Sequence, residues 1–69
     1  MSGWALARVN KTFGHIRITN GWDGPEIERH TCRAEDLDHA RFVLETAGWT
    51  FLHDWADEGT VLSRAQVTR

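Results

Sequence analysis

His30 and Cys32 stand two residues apart in EIERHTC (26–32), so in an extended chain both side chains point the same way, as two ligands of one zinc ion would. His53, Asp36 or Asp38 could complete the shell, but structural zinc sites normally use two to four cysteines and Cys32 is the only one in the chain. The expectation is no metal and no cofactor, with Cys32 packing as a small hydrophobe. His53 and Asp54 resemble a base and its orienting carboxylate. Adjacent strand residues point to opposite faces, however, so this Asp cannot hold this imidazole. Cys32 with His15 or His39 would make a nucleophile and a base, but nothing nearby marks a lowered thiol pKa or an oxyanion hole. Gly21 and Gly24 belong to a turn and not to a phosphate-cradling loop. No set of catalytic roles assembles, and the chain is read as a non-enzyme.

Binding chemistry has more material. Trp49, Phe51, His53 and Trp55 alternate along WTFLHDW (49–55). With Arg64 they would form a face of aromatic planes beside a guanidinium, on which bases stack, and Arg8, Arg17 and Arg29 could extend it. Against nucleic acid stand ten acidic residues, a formal charge of −2 and no RNA-recognition or helix-turn-helix signature. The same aromatic residues, together with Phe42 and Trp22, are the anchors that protein interfaces favour. The favoured reading is therefore a small binding or regulatory protein acting through protein contacts, as a homodimer or with another protein. A nucleic-acid-binding module using the aromatic and arginine face is the alternative. Self-association would also stabilise a chain whose small core rarely supplies more than about 3 to 5 kcal/mol.

With 69 residues there is room for one domain, spanning 1–69, and one core. A lone thiol, no signal-peptide pattern after Met1 and no apolar run approaching ~18 residues point to a cytoplasmic protein with no membrane segment. Basic residues are seven Arg and one Lys, a skew that a GC-rich coding sequence produces. Four Trp in so short a chain exceed what a one-helix core absorbs, since each buries on the order of 200 Å².

The scaffold is organised by AEDLDHARFVLETAG (34–48), the one stretch with sustained helical periodicity. At about 100° per residue, Leu37, Ala40, Val43, Leu44 and Ala47 share an arc about 120° wide, while Phe42 projects roughly 140° from Leu37 on the polar side. Glu35, Asp36 and Asp38 suit the positive end of the dipole, and Gly48 suits the C-terminal cap. Thr31 and Asp36 are both candidate N-caps.

Strands are predicted at GWALARV (3–9), FGHIRIT (13–19), EIERHTC (26–32), WTFLHDW (49–55) and TVLSRAQV (60–67). NGWDGP (20–25) is a turn with Trp22 at its tip. The order β-β-β-α-β-β implies an α+β fold, an antiparallel sheet of four to five strands with one helix on one face. If residues 56–59 are the last hairpin loop, Trp55 pairs with Thr60, and one face shows Trp49, Phe51, His53, Trp55, Leu62, Arg64 and Gln66. The other shows Leu52, Val61, Ala65 and Val67, so both faces would be apolar and one would be left over for binding.

Overall fold

Ala5, Ala7 and Val9 alternate with Trp4, Leu6 and Arg8, and the strand they form is the middle of the sheet. The computed structural model describes residues 4–69, so the expected start of this strand at Gly3 lies outside the described residues. In chain order the elements are β1 (Trp4–Asn10), β2 (His15–Thr19), β3 (Glu26–Thr31), α1 (Leu37–Thr46), β4 (Thr50–Phe51), β5 (Ala56–Glu58) and β6 (Leu62–Thr68). The sheet runs β3-β2-β1-β6-β4, with β5 also on β6, and every pairing is antiparallel. This is the expected α+β order, with one helix laid across one face.

The inner face carries Ala5, Ala7, Val9, Ile16, Ile18, Ala65 and Val67, all almost fully buried. Ala40 and Leu44 of α1 close over it, flanked by Leu37, Val43 and Ala47, which are the five residues of the periodic stripe. Small side chains on the strands let the helix approach closely, so this modest area still makes a dry core. The helix begins at Leu37, later than periodicity alone implied. Asp36 is its N-cap and accepts a hydrogen bond from His39 N–H, while residues 34–36 are turn and coil. At the other end Gly48 takes φ +98°; its N–H reaches Glu45 C=O and Trp49 N–H reaches Leu44 C=O. That 5→2 and 6→1 pair is a Schellman cap, and it drops Trp49 directly onto the core.

The second half of the chain departs from expectation. Residues 49–55 are not one strand. Thr50 and Phe51 pair with Thr68 and Val67, the chain then bulges through 52–55, and pairing resumes where Ala56 meets Arg64. Four residues thus stand opposite two on β6, and His53 fills the gap. Its Nε2 accepts a hydrogen bond from Gln66 N–H at 3.1 Å, and its Nδ1–H donates to Asp54 C=O at 2.6 Å. The segment expected to be a loop, 56–58, is strand, and the turn is Gly59-Thr60-Val61.

That register sets Phe51 opposite Val67, on the helix side. Phe51 therefore shares the inner face with Ala65 and Val67, expected opposite it, because an odd register slip exchanges the faces, while Leu52 and Val61 stand exposed outside the core. The predicted two-sided apolar sheet does not form.

Candidate functional site

On the outer face the register makes a line. Arg29 pairs with Arg17, Arg17 with Arg8, and Arg8 with Arg64, so the four guanidiniums stand side by side across β3, β2, β1 and β6. Two carboxylates answer them. Glu58 Oε1 is 3.1 Å from Arg8 Nε and its Oε2 is 3.2 Å from Arg64 Nη1, while Glu26 Oε1 lies 3.0 Å from both Arg17 Nε and Arg29 Nη2. Four cations against two anions leave an excess of two positive charges on a chain whose formal total is −2. Arg17 and Arg29 stay about two-thirds exposed, and Arg8 and Arg64 about one-third.

Glu26 reaches this face through a backbone irregularity. Along a regular strand it would point inward with Glu28. The register shifts between Ile18 and Thr19, so Glu28 opposes Ile18 on the inner side while Glu26 opposes Thr19 on the outer side. Ile27 is the extra residue and stands half-exposed at the sheet edge. The hydrogen bond from Arg29, with the charges of Arg29 and Arg17, holds the Glu26 carboxyl below its ordinary pKa against the opposing effect of burial.

Trp22 covers part of this face. Its loop is pinned by Thr19 Oγ1, which donates to Gly21 C=O at 2.8 Å, and by Asn20 N–H, which donates to Pro25 C=O at 3.0 Å. Gly24 is required for the turn's closure, since a Cβ there would fall 1.8 Å from Asn20 O. Folded back, the indole meets Trp4 edge-on at 6.5 Å and lies over the guanidiniums of Arg8 at 5.9 Å and Arg64 at 5.2 Å. Leu6, between Trp4 and Arg8 on this face, is removed from water at 1% exposure, while Trp22 itself keeps 47%. Beyond the row, Phe13 in the β1–β2 turn is exposed and stacks on His15 at 5.9 Å. Arg8, Asn10, His15, Arg17, Glu58 and Leu62 line a cavity of about 390 Å³ on this face.

The residues singled out from sequence divide between the two faces. Trp22 and Arg64 are brought together on the outer face. Trp49 is buried in the core, with its Nε1–H donating to Glu28 Oε1 at 3.2 Å. Phe51 and Trp55 pack on the core as a T-shaped pair at 5.0 Å, and Trp55 Nε1–H caps Leu37 C=O at 3.1 Å. His53 is the ladder substitute described above. Phe42 projects from the outer surface of α1, stacked on His39 and far from the arginine row by element. Four of the seven expected binding residues are thus structural: the strand register turns Phe51 toward the helix, the helix cap delivers Trp49, the bulge through 52–55 returns Trp55, and His53 substitutes for the ladder. Arg8, Arg17 and Arg29 were expected only as extensions of the face. Arg17 alternates with Ile16 and Ile18 and so reads as outward-facing, but Arg8 shares its parity with Trp4 and Leu6 and Arg29 shares its parity with Ile27, so alternation along the chain does not mark the row.

A second polar cluster lies at the inner edge. Glu28 receives His30 Nε2 at 2.9 Å and Trp49 Nε1–H, and pairs with Arg69, whose guanidinium stacks on Trp49 at 4.1 Å and donates to Ala47 C=O at 2.9 Å. It ties β3, the helix C-terminus and the chain's last residue together. Burial and the nearby Asp36 carboxylate push the Cys32 thiol up, opposite to the direction an activated nucleophile needs. No group of three His, Cys, Asp or Glu side chains among the described residues is arranged to hold a metal ion, and no described helix is long and apolar enough to cross a membrane.

No protein-family model matches the chain, and no curated protein or solved structure matches it. Function must therefore be argued from the outer face.

Proposed function

We propose that the protein is a non-catalytic binding module whose outer sheet face takes a phosphate-bearing polyanion. The observation that carries this reading is the unbroken cross-strand row Arg29, Arg17, Arg8, Arg64. Like charges directly opposite each other on a sheet are destabilising, and exposed Arg–Glu pairs return little. Thr or Val at these positions would serve a purely structural face better. Arginine is also the side chain whose planar fork matches phosphate oxygens two at a time. Glu26 and Glu58 hold the guanidiniums extended and are displaced as the anion arrives. The reading of protein contacts through an aromatic sheet face loses Trp49, Phe51 and Trp55 as anchors, because they pack on the core, while Phe42 and Trp22 remain exposed for it. A lone cysteine supports a cytoplasmic setting.

Retention on immobilised heparin at pH 7 and low salt tests this, because a chain with formal charge −2 and no local cationic site passes through. Arg17→Ala with Arg29→Ala is expected to abolish retention. Glu58→Gln is expected to strengthen it, by freeing Arg8 and Arg64. A wild-type protein that flows through, or a Glu58→Gln variant that binds less, would sink the proposal.

A further inference from the structure

We infer that the polyanion is a single-stranded nucleic acid, bound with bases on Trp22 and Phe13 and its backbone along the arginine row. This rests on the polyanion reading of the same face and adds what that reading leaves open, the identity of the ligand. A row of arginines alone attracts any dense anion, whether sulfated sugar, polyphosphate, duplex or single strand. The flat aromatic groups narrow the choice. The Trp22 indole packs against the Arg8 and Arg64 guanidiniums and meets Trp4 in a T-shaped contact, yet 47% of the residue is open to solvent. A base laid on the open side completes a guanidinium–indole–base stack. Phe13 is 68% exposed in the β1–β2 turn, where no core demands an aromatic ring, and it is held flat by the His15 ring beneath it.

Between these two planes lies the cavity lined by Arg8, Asn10, His15, Arg17, Glu58 and Leu62. Trp22 is set against Trp4 and Arg8, and Phe13 lies beyond Asn10, at the far end of β1. From Leu6 to Asn10 the strand spans roughly 13 Å at ~3.3 Å per residue, room for a short run of nucleotides with phosphates over the cations. Aromatic planes at both ends of a cationic floor suit unpaired bases. Sulfated sugars and polyphosphate have no π-face to place on them, and a duplex keeps its bases stacked inside. Duplex readout would also need an element that enters a groove, and the outer face presents only a broad sheet with no helix upon it.

The test is titration of the full chain with a fluorescein-labelled thymidine oligonucleotide of about a dozen nucleotides, its duplex with a complementary strand, and heparin. Expected are tighter binding of the single strand than of the duplex, quenching of tryptophan emission, and a log–log salt slope of about −2 to −3 from three or four phosphate contacts. Trp22→Ala and Phe13→Ala are each expected to weaken the oligonucleotide roughly tenfold and to leave heparin retention unchanged. Phe13 is exposed, so its variant folds even if loss of Trp22 uncovers Leu6. Equal affinity for duplex and single strand, or oligonucleotide binding indifferent to both aromatic substitutions, overturns the inference and leaves the polyanion reading standing. Absence of binding to heparin and oligonucleotide alike overturns both.

Discussion

The two faces of this one sheet are built from the same strands on opposite rules. Its inner face is lined by Ala5, Ala7, Val9, Ile16, Ile18, Ala65 and Val67, buried under α1 and under Trp49, Phe51 and Trp55. Its outer face carries the four arginines, two glutamates and a single folded-back indole. Apolar side chains thus line the side that the helix covers, with small ones on the central strands, and long charged ones line the other. The inner face therefore sets stability, and the outer face is free to be electrostatically costly. Substitutions on the two sides should have separable effects.

The largest effect belongs to the inner face. Leu44→Ala is expected to cost about 2 to 5 kcal/mol. With a total of about 3 to 5 kcal/mol for so small a core, most of the protein should unfold at room temperature, as read by circular dichroism. Polyanion binding would be lost only with the fold. The double change Arg17→Ala and Arg29→Ala should do the reverse, shifting stability by less than about 1 kcal/mol while removing heparin retention. If it unfolds the protein, the row is structural and the division between faces fails.

Acid sharpens the comparison at the inner edge. Hydrogen bonding from His30, against the opposing effect of burial, and then from Trp49 and Arg69, holds the Glu28 carboxyl below its ordinary pKa. A depressed folded value means that the stabilisation is complete above the ordinary value of 4.5 and drains away as pH falls below it through the folded value. Urea midpoints measured at successive pH values should fall across that window, and Glu28→Gln should flatten the fall. Glu26 is shifted in the same direction but is more open to solvent screening at an exposed edge strand, so Glu26→Gln should flatten it less.

Smaller still is the expected cost of His53→Ala, about 1 kcal/mol, with loss of hydrogen-exchange protection at the Gln66 amide whose proton the imidazole accepts. Phe42→Ser, on the exposed side of the helix, should stay within about 0.5 kcal/mol and leave binding to the outer face unchanged.

The alternation of β1 and β2 is legible in the sequence, as are the third strand and the five-residue helical stripe, because each depends on periodicity within a single segment. The C-terminal hairpin is not. Its register hangs on whether the loop holds four residues or three and on a side chain, His53, standing in for main chain. An odd difference in loop length is enough to move Phe51 and its neighbours from the expected binding face to the core. The helix start lies later than expected for a related reason: acidic residues suit a first turn by charge, and the hydrogen bond from His39 N–H singles out Asp36 as the cap.

By itself the sequence determined which residues of β1 and β2 share a side and which stripe of the helix is apolar. These are properties of neighbours along the chain, set by a period of two or of 3.6. Only the tertiary structure decided that the four arginines stand abreast, that Glu26 turns outward to meet two of them, and that Trp22 lies over the other two. Neighbours across strands are set by turn lengths and bulges, where a single residue changes every partner.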